Sequence, residues 1–169
     1  QGLDTVTLQI FNQGRLSPSD PLAVALGAKP LTPGTSKTLT AGLTFQTGIG
    51  FSGSIDLYQI DVDDRFSQSR TFAVPASFPN PQRFTSVSYF TNDFDTRTRG
   101  IDVVLNYARN LGPGRATATL AYNYNNTKVR SGTTAAIPNE TQRRVFEERL
   151  PQNNGTASLG YEVGGFSLL

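Results

Sequence analysis

Apolar and polar positions alternate along this chain with a period of two, the spacing of a strand and not of a helix. Over 38–46, Leu39, Ala41, Leu43 and Phe45 share one face, and Thr38, Thr40, Gly42, Thr44 and Gln46 share the other. Phe51, Gly53, Ile55 and Leu57 then oppose Ser52, Ser54, Asp56 and Tyr58. Ile101, Val103, Leu105 and Tyr107 oppose Gly100, Asp102, Val104 and Asn106. Ala116, Ala118, Leu120, Tyr122 and Tyr124 oppose a face from Arg115 to Asn125, and Ala157, Leu159, Tyr161 and Val163 oppose Thr156, Ser158, Gly160 and Glu162. With an earlier strand over 5–11 and a further one beginning at Phe166, the pattern predicts an all-β protein.

The connections sharpen the fold. Thr47-Gly48-Ile49-Gly50, Asn110-Leu111-Gly112-Pro113-Gly114 and Gly164-Gly165 are tight-turn sequences,. Between them lie long segments over 13–36, 65–86 and 127–153. An antiparallel up-and-down meander with these connections has every short one at one rim and every long one at the other. That arrangement, with strands of about 9–11 residues, predicts a partial transmembrane β-barrel, about seven strands of a larger one. Phe45, Phe51, Tyr107, Tyr161 and Phe166 lie near the short turns, where an aromatic girdle belongs,. No apolar face named above carries a charge, whereas Lys or Arg facing lipid at midplane costs about 2–4 kcal/mol. Thr, Ser, Asn and Gly dominate the polar faces, as a water-filled lumen requires. A soluble β-sandwich or lipocalin-like barrel has similar alternation but seldom segregates its loop lengths so strictly.

Composition fits this wall. The 169 residues hold 37% hydrophobic and 17% charged residues, few of either because one face meets lipid and the other lines water. Fifteen basic against 13 acidic residues leave a net charge of +2, too weak for a nucleic-acid module,. With no Cys and no His, the chain itself offers no Ser-His-Asp triad, thiolate nucleophile or imidazole zinc site,. No enzyme activity and no cofactor are expected. Asp61-Val62-Asp63-Asp64 invites a calcium reading, but a strand turning polar beyond the membrane explains it better, and no metal site is expected,. The absence of Met and a strand still running at Leu169 suggest a fragment.

Three motifs then carry a resemblance. Tyr89-Phe90-Thr91-Asn92-Asp93-Phe94-Asp95-Thr96-Arg97-Thr98-Arg99-Gly100-Ile101-Asp102 resembles the N-x-x-x-T-x-G-x-D strand of TonB-dependent outer-membrane receptors. Ala25 to Ser36 (ALGAKPLTPGTS) is similar to that family's LGAKPLKPEKS segment, with Thr32, Gly34 and Thr35 in place of Lys, Glu and Lys. Ile55 to Arg65 (IDLYQIDVDDR) resembles its VDYYRIDIDDRI strand. The resemblance implies a bacterial outer-membrane location and TonB-driven uptake of a scarce ligand, most often a ferric siderophore. It also implies, as partners, outer-membrane lipid, a plug domain of the same chain and the TonB complex. Plug, TonB box and C-terminal strands are missing from these residues, so 1–169 is expected to be part of the barrel domain. A soluble carbohydrate-binding β-barrel or sandwich and a passive porin are the alternatives.

Several side chains are candidates for function. Arg70, Phe72, Phe78, Arg83 and Phe84 share a proline-stiffened segment suited to capturing an anionic or aromatic ligand,. Asp56, Asp102 and Asn106 lie on the polar face and are expected to line the lumen and tie strands together. Arg97 and Arg99 share a face with Ile101; they stand in a solvated rim or at the depth of anionic headgroups,. Residues 140–150 have helical propensity, with Pro151 to end the helix,.

Overall fold

The computed structural model describes residues 2–4, 9–137 and 139–168. Antiparallel strands account for 61% of it and helices for little. In chain order the elements are β1 (Gly2–Asp4), β2 (Gln9–Phe11), β3 (Gln13–Leu16), α1 (Pro21–Ala25), β4 (Thr35–Gln46), β5 (Phe51–Gln68), β6 (Phe72–Ala73), β7 (Ser86–Leu111), β8 (Gly114–Gly132), α2 (Glu140–Glu147), β9 (Asn153–Val163) and β10 (Phe166–Leu168). The main sheet runs β10-β9-β8-β7-β5-β4, an open meander of sequential neighbours, with β3 and β6 added beside β7. Of the strand expected over 5–11, residues 5–8 lie outside the described residues, and β2 pairs with β1 in a separate hairpin.

The short turns form where they were expected. Thr47 N–H donates to the Phe51 carbonyl at 2.8 Å, and Gly50 takes φ +86°. Gly112 and Pro113 alone join β7 to β8. Gly164 and Gly165 both have positive φ (56° and 86°), the backbone that a two-residue hairpin matched to strand twist demands,.

The long connections are shorter than the sequence pattern implied. β5 continues to Gln68, β7 begins at Ser86 and spans 26 residues, and β8 runs to Gly132. These extensions carry polar residues on both faces, so no alternation marks them, yet their backbones stay paired in the sheet. The first long connection also holds unexpected order. Asp20 caps α1 by accepting from Leu22 N–H at 2.9 Å, with Pro21 opening the helix,. The helix expected in 140–150 forms as α2, ends before Pro151, and is started by Asn139 Oδ1 accepting from Gln142 N–H at 2.8 Å.

The chain divides into two compact units. The first comprises 1–36, 62–96 and 129–145; the second comprises 37–61, 97–128 and 146–169. In the first, Tyr89 stacks on Phe72 with centroids 5.6 Å apart, and its hydroxyl donates to the Leu26 carbonyl at 3.1 Å. Ala23 and Ala28 pack there, with Leu16 and Leu26 at the margin. β3 lies parallel to the start of β7, with Gln13 opposite Ser86 and Leu16 opposite Tyr89.

The second unit is a sheet with two unlike faces. In the β8–β9 ladder Ala116 lies opposite Tyr161, Ala118 opposite Leu159 and Leu120 opposite Ala157. Alternating with them, Arg115 meets Glu162, Thr119 meets Ser158 and Asn123 meets Asn154. Directly opposed residues share a face, so the two sets line opposite sides of the sheet. A Cβ on Gly53 would lie 2.9 Å from the Leu105 side chain and 3.0 Å from the Phe45 ring, so the apolar side extends across β4, β5 and β7. All the hydrophobic side chains buried among the described residues, from Leu22 to Ala136, belong to the first unit. Leu39, Leu43, Leu57, Leu120 and Leu159 in the second stay exposed, Leu39 at 72% and Leu159 at 75%.

Candidate functional site

The polar face of the second unit is knitted by short side chains. Asp102 accepts from Asn123 Nδ2 at 2.5 Å, which makes its partner the neighbouring strand. Asn123 also reaches the Tyr58 hydroxyl at 3.4 Å and, through its Oδ1, accepts from Asn125 at 3.1 Å. Asn106 Oδ1 accepts from Thr119 at 3.0 Å, and Thr98 and Thr127 hydroxyls meet at 2.8 Å. Asp56 lies against Gly42, where a Cβ would meet its carboxylate at 2.0 Å. Asp56, Asp102 and Asn106 therefore stand on one polar side, and two of the three bond across strands.

On the opposite side, at the end of the apolar runs, four side chains form a chain. Arg97 binds Asp61 through two bonds of 2.6 and 3.1 Å. Gln59 Nε2 donates to the same carboxylate at 3.0 Å, and Arg99 Nε donates to Gln59 Oε1 at 2.8 Å. Along the sequence the arginines and the aspartate stand far apart and show no sign of pairing. Only their common face was legible, because Gln59 and Asp61 continue the Leu57 face and Arg97 and Arg99 precede Ile101 on the same period.

The candidate ligand residues of the first unit fall into two places. The Arg70 guanidinium lies 4.3 Å from the centroid of Phe72, the ring that stacks on Tyr89. Burial, then the charge of Asp93, raises the Tyr89 hydroxyl pKa, while Arg70 opposes the shift, so the phenol stays protonated,. Phe84 sits against Gly14, whose added Cβ would meet its ring at 2.9 Å, and Asn80 brackets its backbone with bonds of 2.7 and 2.9 Å. Arg83 occupies the same turn with φ +53° and is exposed; Phe78 closes a turn on the Pro75 carbonyl at 3.0 Å. The five are thus not one cluster: Arg70 and Phe72 touch, and Arg83 and Phe84 share a separate turn.

Further side chains complete the first unit's surface. Phe66 and Phe90 stack at 4.9 Å, Arg15 lies 5.5 Å from the Phe90 centroid, and Arg15 bonds Gln68 at 3.2 Å. Asp63 pairs with Arg130 at 3.2 Å, and Asp64, at φ +55°, offers its N–H to Asp95 at 3.0 Å. Asp95 also accepts from Ser131 at 2.5 Å. That hydroxyl first, then the Asp64 N–H, holds the Asp95 carboxyl below its ordinary pKa, with Arg130 adding to the effect and burial opposing it.

An open meander with one apolar and one polar side, short turns at one rim and long connections after alternate strands, defines the wall of a β-barrel of the outer-membrane type,. Residues 6–169 match the family described as TonB dependent receptor-like, beta-barrel, and the chain belongs to that family. Its members are outer-membrane receptors that serve transport. No curated protein and no solved structure matches the chain.

Proposed function

We propose that this chain forms part of the barrel wall and outer loops of a TonB-dependent receptor for a scarce ligand, a ferric siderophore. The observation that carries the membrane part of this reading is the distribution of buried side chains. The second unit has five apolar runs and, among the described residues, buries none of their hydrophobic side chains in protein. Apolar surface of that extent is stable only against an apolar solvent, and a bilayer supplies one. In this reading 1–169 is a run of strands from a larger barrel, and a plug domain of the same receptor occupies the lumen beside Asp56, Asp102 and Asn106.

Ligand capture falls to the 69–85 connection. The Arg70 guanidinium, held over Phe72, offers charge and an aromatic edge to an anionic iron chelate,. Phe78, Arg83 and Phe84 extend the same connection. The test is uptake of a panel of radiolabelled ferric siderophores by cells carrying the intact receptor, with and without TonB. TonB-dependent uptake that Arg70→Ala weakens about tenfold, the scale of one lost charge-assisted contact, supports the reading. Uptake that ignores loss of TonB makes the protein a passive porin. A receptor that stays monodisperse in plain buffer removes the membrane reading altogether.

A further inference from the structure

Arg70 is exposed and its guanidinium makes no ion pair among the described residues, yet its peptide is held from two sides. On one side stands Ser69, which is buried. Ser69 N–H donates to the Tyr89 carbonyl at 2.8 Å, and its hydroxyl accepts from Tyr89 N–H at 3.1 Å while donating to the Arg70 carbonyl at 2.8 Å. The other side belongs to the second long connection: Arg70 N–H donates to the Ala135 carbonyl at 2.8 Å.

The turn that presents this carbonyl is itself fastened to β7. Ile137 N–H closes it by donating to the Thr133 carbonyl at 2.7 Å. The Thr133 hydroxyl donates to one oxygen of Asp93 at 2.6 Å, and the other oxygen accepts from Thr91 at 2.6 Å, so the carboxylate is held by both oxygens. Beneath lies an apolar pin. A Cβ on Gly132 would meet the Ile137 side chain at 2.8 Å and Phe94 at 3.1 Å, and Phe94 and Ala136 are buried. A backbone fixed before a ligand arrives removes its ordering cost from the binding step. With Phe72 stacked on Tyr89 beside it, Arg70 has only side-chain torsions left to order.

We propose that the 133–137 turn is a positioning clamp for Arg70, latched by Asp93 through Thr133, so that the two long connections form one capture unit. Thr133 and Asp93 are positioning residues, acting on Arg70 through the Ala135 carbonyl. The proposal rests on the ligand role given to Arg70 above.

The test reads amide exchange, resolved to single residues, in the intact receptor in a neutral detergent. Thr133→Val keeps the shape of an exposed side chain and removes its hydroxyl. Exchange at the Arg70 amide should quicken about tenfold, the scale of one lost charge-assisted hydrogen bond, while the Ser69 amide, bonded to Tyr89, keeps its rate. Thr133→Ser should leave both rates as in the unaltered receptor, and Asp93→Ala should reproduce Thr133→Val. Uptake is then measured with the member of the ferric siderophore panel that the unaltered receptor takes up. Thr133→Val should raise the half-saturating concentration about threefold where Arg70 is present and leave it unchanged in an Arg70→Ala background, the coupling of a residue that acts through another. An Arg70 amide that ignores Thr133→Val overturns the proposal, as does an equal rise at Ser69, which marks general loosening. Equal losses of uptake in the two backgrounds overturn it too. If Arg70→Ala leaves uptake intact while the Arg70 amide responds as expected, the ligand role of Arg70 fails and the joining of the two connections stands.

Discussion

At the scale of single residues, Asp95 and Gly100 show how differently the two units are held. Asp95 has its pKa lowered by the Ser131 hydroxyl and the Asp64 N–H, so the folded state favours its charged form. A carboxyl of this kind contributes stability that is present above the unfolded pKa of about 3.9 and is lost as pH falls through the lower folded value. Acidification into that range should therefore loosen the pairing of β5, β7 and β8 around Asp95. Asp95→Asn should flatten this acid sensitivity, read as the pH dependence of amide exchange at Asp64. Gly100 is a matter of space. A Cβ there would stand 2.2 Å from the Tyr58 ring and 2.6 Å from the Tyr124 carbonyl oxygen. The ring can swing aside and the backbone cannot, so Gly100→Ala should destabilise the barrel by about 1–3 kcal/mol, measured as a lowered unfolding midpoint in detergent.

At the scale of elements, the turns are the sharpest feature. Gly164 and Gly165 both sit at positive φ with nothing within 4 Å of an added Cβ, so substitution there strains the backbone and touches nothing else. Each change to Ala should cost about 1–2 kcal/mol, whereas Gly48→Ala, equally uncrowded and outside that region, should be nearly neutral,. Comparing the three unfolding midpoints isolates turn geometry from packing. These turns were legible in the sequence because Gly-Gly and Gly-Pro between alternating runs have few other uses. The upper parts of β5, β7 and β8 were not. In Ser86 to Arg99 polar residues stand on both faces, the alternation disappears, and strand and loop then look alike in one dimension. The Arg97–Asp61–Gln59–Arg99 chain was hidden for a related reason. Its face assignments follow from the period, but its contacts depend on the register between β5 and β7, which no single strand encodes.

At the scale of the molecule, the connections 69–85 and 133–152 follow β5 and β8, alternating along the chain with the turns at 47–50, 112–113 and 164–165. In a barrel of this family the first set should face the medium. The chain contains no cysteine, so introduced ones report without interference from their neighbours. A membrane-impermeant maleimide should label Ala76→Cys on intact cells and should label Ile49→Cys only after the outer membrane is opened. Ile49 is 67% exposed, so failure to react in intact cells would reflect sidedness and not burial. The reverse pattern would invert the orientation. The candidate ligand residues divide along similar lines: their common segment was legible from Pro75, Pro79 and Pro81, while the separation of Arg70 and Phe72 from the Phe84 turn came from Gly14 and Tyr89, partners distant in sequence.

The confinement of buried hydrophobic side chains to 1–36, 62–96 and 129–145 has a consequence for how this protein can change over evolutionary time. Around Tyr89 each side chain must fit its neighbours in shape, and a methylene gained or lost there is felt. In the bilayer proposed for the second unit, acyl chains are fluid and impose no such fit, so Leu43, Leu120 or Leu159 should drift to any apolar residue of similar transfer energy. Two clocks should therefore run in one polypeptide: a wall whose identities wander while its alternation endures, and a packed unit around Tyr89 whose particular residues are held in place. Common descent in such proteins is preserved less in letters than in rhythm.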